Sequence, residues 1–520
     1  MSQNPINPSR RAKSARPLTL HSSLITLHFS LFTFHFILSS VVYRLPSVFC
    51  RLSPASDSNH TRHGTGVYLY HSTRDPRFFC AHSPQRHRIL GHMKPTSALQ
   101  RGRLLRMNLV ALWLLLPFPA YTATCKVRDF GARADGSTKD TAAIQRAIDA
   151  CAGKGGGEVI LSAGTYVSAP IVLKSNITLQ LEKGATLLGS PDHGDYPAKT
   201  EFRAPGRQSL VSATNAEQVA ITGEGTIDGN GETWWQEARQ FKDAGILGSE
   251  HTRPRVIVFD HCRHVRMEGV TVQNSPMWQI VPYYSDDVTI RNVRVLAPAH
   301  SPNTDAVDPF SSSHVTIDHL YADVGDDNIA IKSGAINSPG PDSPSRDITI
   351  TDCTFLHGHG LSIGSEIAGG AQNIRAERIH FSGTDNGIRV KANRDRGNDV
   401  GHLAFRDIDM KDVKNALVIS EYYPKVLPPE GEAAQPVTRL TPHFHDIVLE
   451  NVTAENSESD GAIVGLPESP VLGVVLTNVK LSGRQGLKIA YADVTGTRTS
   501  VRAEEGQPVT EGPGSKVRIQ

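Results

Sequence analysis

The chain has 520 residues, with 54 Lys and Arg against 52 Asp and Glu and a formal net charge of +2. That balance is unevenly spread. Residues 1–125 hold 15 basic residues and only two acids, Asp57 and Asp75, leaving 39 basic and 50 acidic residues beyond them. The larger part is acidic, which excludes the broad basic surface that nucleic-acid binding draws on.

Residues 1–92 are rich in Ser, His and Arg and show no sustained period of 2 or 3.6. The apolar stretch from Leu20 to Tyr43 is broken by His21, His28 and His35, so it is a poor membrane span. These residues read as a non-native or disordered extension ahead of the natural start. Residues 93–123 then follow the layout of a secretory signal peptide. Lys94, Arg101, Arg103 and Arg106 form the basic end, Leu109 to Leu116 the apolar core and Pro117 to Ala123 the small-residue exit. The expected destination is secreted or periplasmic, with no membrane span in the mature, monomeric protein. Export permits disulfides, and Cys125 can pair with Cys151 by proximity. Cys262 and Cys353 read as buried thiols, while Cys50 and Cys80 fall in the extension. No cysteine or histidine spacing suggests zinc, and neither a metal nor a cofactor is expected.

From residue 124 to 520 the chain reads as one domain. It opens with a helix that Asp140 or Thr141 can cap, with Ile144, Ala147, Ile148 and Cys151 on one face. Gly153 and Gly155 to Gly157 end it, and helical periodicity then disappears for most of the chain. A short unit recurs in its place: a polar residue followed by alternating β-branched residues. Examples are Asn176-Ile177-Thr178-Leu179, His264-Val265-Arg266-Met267, Asp287-Val288-Thr289-Ile290, Asp347-Ile348-Thr349-Ile350 and Asp446-Ile447-Val448-Leu449. Successive units are mostly about 23–33 residues apart, a solenoid period. Hairpin turns such as Asp228-Gly229 and Asn230-Gly231 are too few to join so many short strands. The expected fold is an all-β parallel β-helix whose first helix covers the open end of the core. The long gap between Leu403 and Ile447, with Pro424, Pro428, Pro429 and Pro436, and the segment 334–345 read as loops projecting from it. Insertions near 232–254 and 424–442 are candidates for closing one end of a cleft.

Four polar motifs fall in order at about that period: Asn303-Thr304-Asp305, Gly325-Asp326-Asp327, Gly358-His359-Gly360 and Arg389-Val390-Lys391. Asp305, Asp326, His359 and Arg389 are 21, 33 and 30 residues apart, so stacking puts them on one stripe. Three carboxylates brought together cannot all ionise freely, and at least one pKa is expected to rise. A protonated acid beside ionised carboxylates is what glycosidic hydrolysis requires. Arg389 and Lys391 alternate with Val390, so both cations share one strand face while Val390 enters the core. They suit recognition of a sugar carboxylate.

These motifs, with Asn274-Ser275-Pro276-Met277-Trp278 and Ser301-Pro302 before Asn303, give residues 126–490 a sequence that resembles glycoside hydrolase family 28, the polygalacturonase family. The resemblance implies a right-handed parallel β-helix and metal-free, inverting hydrolysis of α-1,4-galacturonan in pectin. It implies Asp326 as general acid, Asp305 and Asp327 as the residues that hold and deprotonate water, and His359 as support for the charge state of the acid. Arg389 and Lys391 would bind the galacturonate carboxylate, and Asn303 would also line the substrate site. Tyr422 or Tyr423 would contact substrate, with the choice open, and Asp308 is a weaker candidate for the cleft.

Val390 stands where Ile is usual and Asn328 where Cys is frequent, the latter putting a nearby disulfide in doubt. Alternatives are a rhamnogalacturonan or xylogalacturonan hydrolase, a calcium-dependent pectate lyase, and a non-catalytic carbohydrate-binding solenoid.

Overall fold

The computed structural model describes residues 123–245 and 252–520. The expected extension, the signal segment before residue 123, Cys50 and Cys80 lie outside the described residues. Within them the chain forms a parallel β-helix. Its strands pair in parallel with their equivalents one coil on, along three ladders. One hairpin, Ala198–Glu201 with Ala204–Arg207, is antiparallel.

The polar residue opening each sequence unit has a specific backbone role. Asn176, Gln218, His264, Asp287, His314, Asp347, Asn373, His402 and Asp446 all have φ between 52° and 62°. A single left-handed residue bends the strand at the same point in every coil, and Asn, Asp and His tolerate that conformation better than most residues. The apolar residue that follows points inward. Val265, Val288, Val315, Ile348, Ile374, Leu403, Ile447, Val474 and Val494 are in register from coil to coil, and each is 2 % exposed or less. Each contributes about 2 kcal/mol of apolar burial, but only because the next coil covers it.

The first helix, α1 (Thr141–Ala152), buries Ile144, Ala147, Ile148 and Cys151 as expected. Neither expected cap acts as one. Asp140 instead accepts from the backbone N–H groups of Arg133 and Ala134, and Thr141 from that of Ala169. Both side chains tie the helix to the first coil. The Cys125–Cys151 disulfide does the same, and Cys262 and Cys353 are buried thiols.

A second helix, α2 (Glu232–Asp243), was not expected. Trp234 and Trp235 are its only buried residues, although Trp234, Ala238 and Phe241 fall at i, i+4 and i+7 on one face. Trp234 stacks on His193 at 3.5 Å, and the Trp235 indole N–H donates to Ser275 O at 2.8 Å. Of the loop expected between Leu403 and Ile447, only residues 421–442 are a long irregular excursion; strands Asp399–Lys411, Asn415–Ser420 and His443–Val464 take up its two ends. No helix among the described residues is long and apolar enough to cross a membrane.

Candidate active site

The third ladder places the site. Ile257–Asp260, Ile280–Tyr283, Ile329–Ile331, Leu361–Gly364, Asn386–Lys391 and Asn415–Ser420 stack along it, and Val307 and Phe310 join by isolated bridges. Val307, Ile329, Leu361 and Ile388 are in register. Two positions ahead of them stand Asp305, Asp327, His359 and Asn386, which therefore form one row. The true row thus runs through Asp327, with Asp326 beside it. Arg389 belongs three positions further along its coil, in the row of Ala330 and Ser362.

A pocket of about 400 Å³ opens over this row, lined by Asp305, Asp326, Asp327, Lys391, Glu366 and Tyr423 among others. The cations are not at its far end, as spacing alone suggested. Lys391 Nζ lies 2.8 Å from Asp327 Oδ2 and an Arg389 guanidinium nitrogen 3.6 Å from Oδ1. The Ser362 hydroxyl donates to that same Oδ1 at 2.7 Å. Val390 is fully buried.

Asp326 faces a different partner. Its Oδ1 lies 3.0 Å from His359 Nδ1, and His359 Nε2 is 3.5 Å from Asp385. Burial opposes ionisation of Asp326, but the hydrogen bond and charge of His359, with Lys391 and Lys332 behind, win and hold its pKa at about 2. Burial likewise opposes protonation of His359, yet Asp326 outweighs it and raises the imidazole. The expected upward shift falls elsewhere. Burial, then Asp308 and Asp326, push Asp305 well above the carboxylate range. Burial pushes Asp308 up to about 7.

Asn303 donates to Asp326 Oδ2 at 3.5 Å and accepts from Arg253 at 2.6 Å. Asp308 does not line the pocket: it is fully buried beneath it and cannot touch substrate as expected. Of the two tyrosines, Tyr423 faces the pocket. Its ring lies beneath Arg389 and Arg396, 5.6 and 5.7 Å from their guanidinium carbons. Tyr422 does not bind there; it turns into an apolar cluster with Ala462, Val464 and Leu466.

Several site residues were not anticipated. Lys332 is buried 3.8 Å from both Asp305 and Asp308 and 3.4 Å from Glu366. The register of Phe310 with Lys332, and of the coils that follow, puts it in the row of Gly364 and Lys391, so coil counting could have found it. Trp278, noted only as part of a motif, lines the pocket with Arg255 and Lys332 over its ring. Asn328 fastens the His359 turn. Its amide donates to Ala322 O, Leu356 O and His357 O, and its Oδ1 accepts from the Gly360 N–H. Gly358 and Gly360 have φ of 99° and 79°, and a Cβ on Gly360 would sit 2.0 Å from Asn386 O. That turn therefore requires glycine.

Asp326, Asp327 and His359 carry donor atoms within 4.8 Å of one another. Both Asp327 oxygens are already engaged by Ser362 and Lys391, with Arg389 adjacent. A divalent ion there would meet two cations. Asp399, His443 and His445 form a similar group that lines no part of the pocket, and there His445 is held between Asp399 and Asp446.

Residues 159–500 match the sequence profile of glycosyl hydrolases family 28. The chain belongs to that family. This family 28 hydrolase is 32% identical over 372 residues to a probable polygalacturonase of Vitis vinifera, covering 68% of this chain and 73% of the grape protein. It is 30% identical over 370 residues to an endo-polygalacturonase of Pectobacterium carotovorum subsp. carotovorum, covering 67% and 86% of the two chains. Among solved structures it is similar to the exopolygalacturonase of Thermotoga maritima, with a TM-score of 0.60 and 27% identity over 76% of this chain and 92% of that one.

Proposed function

We propose that this family 28 hydrolase cleaves α-1,4-galacturonosidic bonds of polygalacturonate in a single displacement with inversion. The observation that carries this reading is the meeting of three carboxylates with Lys391 in one pocket, with the Arg389 guanidinium 3.6 Å from Asp327 beside it. The similarity to polygalacturonases of both endo and exo kinds supports it. Secretion, following removal of residues 93–123, fits a polymeric substrate too large to import whole.

In this mechanism Asp326 protonates the leaving oxygen while a water attacks the anomeric carbon from the opposite face. Asp326 is held ionised by the His359 imidazolium and by nearby cations, the reverse of what a donor needs. A galacturonate carboxylate arriving at Lys391 and Arg389 would cancel the charge that holds Asp326 down. The proton then moves across the 3.0 Å contact from His359 Nδ1 to Asp326 Oδ1, and the bound acid sugar arms its own catalyst. Asp327 has both oxygens engaged by Ser362 and Lys391, with Arg389 adjacent, an arrangement suited to orienting the water. Asp305, with no cation among the described residues within hydrogen-bonding range and its Lys332 neighbour 3.8 Å away, is the stronger candidate to take the proton. Tyr423 and Asn303 complete the sugar contacts.

Incubation with polygalacturonic acid tests the proposal. Saturated reducing ends, undiminished by chelator and absent with neutral polymers, support it. Unsaturated, ultraviolet-absorbing products would instead indicate a lyase, and binding without products a carbohydrate-binding solenoid.

A further inference from the structure

Asp308 is a buried carboxyl group that this mechanism leaves unused. It is 0 % exposed, three residues beyond Asp305, which is 3 % exposed and lines the pocket. Asp305 Oδ1 and both oxygens of Asp308 have no hydrogen-bond donor among the described residues. The cations nearby do not supply one. Lys332 Nζ stands 3.8 Å from each carboxyl group, beyond hydrogen-bonding range, and donates to Glu366. Arg255 donates to Glu201. Asp327 and Asp326 add negative charge from the next coil. Two ionised carboxylates in this place would leave three buried acceptors unpaired and repelling. One proton held between them pairs two of these three oxygens and removes the repulsion, as in other carboxyl pairs too close to ionise together.

We propose that Asp308 is a positioning residue that holds a proton shared with Asp305, so that Asp305 enters the reaction as a single anion, hydrogen-bonded from behind and open to the pocket. The raised pKa values of both groups agree with this. The step balances without a further reactant. The attacking water gives one proton to Asp305 as its oxygen bonds the anomeric carbon, and Asp326 gives one to the leaving oxygen. The pair then holds two protons, one of which returns to solvent through the pocket.

The inference rests on the galacturonan hydrolase reading, and the test separates the two. Infrared difference spectra between wild type and Asp308→Asn report a protonated carboxyl group without any need for turnover. At pH 6 a carboxylic-acid carbonyl band present in wild type should be missing from the variant. Its presence in an enzyme inactive on galacturonan would keep the pair and sink the substrate reading. In the active enzyme, Asp308→Asn supplies a donor that cannot titrate and should slow kcat by no more than about tenfold. The alkaline fall of kcat should change from the slope of two ionisations, the pair and His359, to that of one. Asp308→Ala should lower kcat about 100-fold and change KM less than about threefold, because Asp308 has no surface in the pocket. An unchanged carbonyl band, an unchanged alkaline slope, or a KM effect exceeding the kcat effect would overturn the proposal.

Discussion

Lys391 reaches back across two coils to place its ammonium group 2.8 Å from the Asp327 carboxylate. Both are almost fully buried. The sequence alone assigns Lys391 to substrate binding, but removing one partner of a buried pair leaves the other charge uncompensated. Lys391→Ala should therefore damage more than affinity. We expect kcat to fall about 100-fold and KM to rise about tenfold. Melting should drop by several degrees, in line with a cost of about 3 kcal/mol. Steady-state kinetics and calorimetry on the same preparation check all three.

Asp326 and His359 should behave as one proton-holding unit. Asp326→Asn should lower kcat by about 10³-fold with little change in KM. In His359→Ala the proton must remain on Asp326 alone, a carboxyl group, and not on an imidazole whose pKa is raised. The alkaline limb of kcat should then move to lower pH in a full pH profile. A limb that stayed in place would separate His359 from the acid.

The two tyrosines should part company. Tyr423→Ala removes a ring that lies against Arg389 and Lys391, and KM for oligogalacturonates should rise about tenfold. Tyr422→Phe removes a buried hydroxyl with no hydrogen-bond partner. It should leave KM unchanged and melting equal or higher.

Asp460 lies far from this chemistry and is fully buried, with neither carboxyl oxygen hydrogen-bonded. Burial alone raises its pKa to about 7. A carboxyl group raised on folding stabilises most below its unfolded pKa of about 4. That contribution fades as pH climbs through 7, where the unfolded chain has ionised and the folded one must follow. Asp460→Asn should be on the order of 3 kcal/mol more stable than wild type at pH 8 and close to it at pH 4, as read by denaturant titration at both pH values.

The coil architecture was legible because each coil repeats one constraint. A left-handed polar residue precedes an inward apolar one, and that pair is visible at Asn176-Ile177 and again at Asp446-Ile447. Asp305, Asp327 and His359 were legible for the same reason, since residues at one coil position share a row. Reach was not legible. Register places Arg389 and Lys391 on later coils, but their long side chains return to Asp327, and only coordinates reveal that. Burial was equally hidden: Asp308 is the same residue type as Asp305 and differs in lying beneath the pocket floor. Helix α2 does carry an apolar stripe, Trp234, Ala238 and Phe241, but a short one on an otherwise polar insertion.

The stereochemistry of the first product tests inversion most directly. Proton NMR during early hydrolysis of an oligogalacturonate should show the new reducing end appearing as the β-anomer, then mutarotating toward equilibrium. That result follows from water attacking opposite the α-linked leaving group, with Asp326 as acid and Asp305 as base. A new end appearing first as the α-anomer would contradict it.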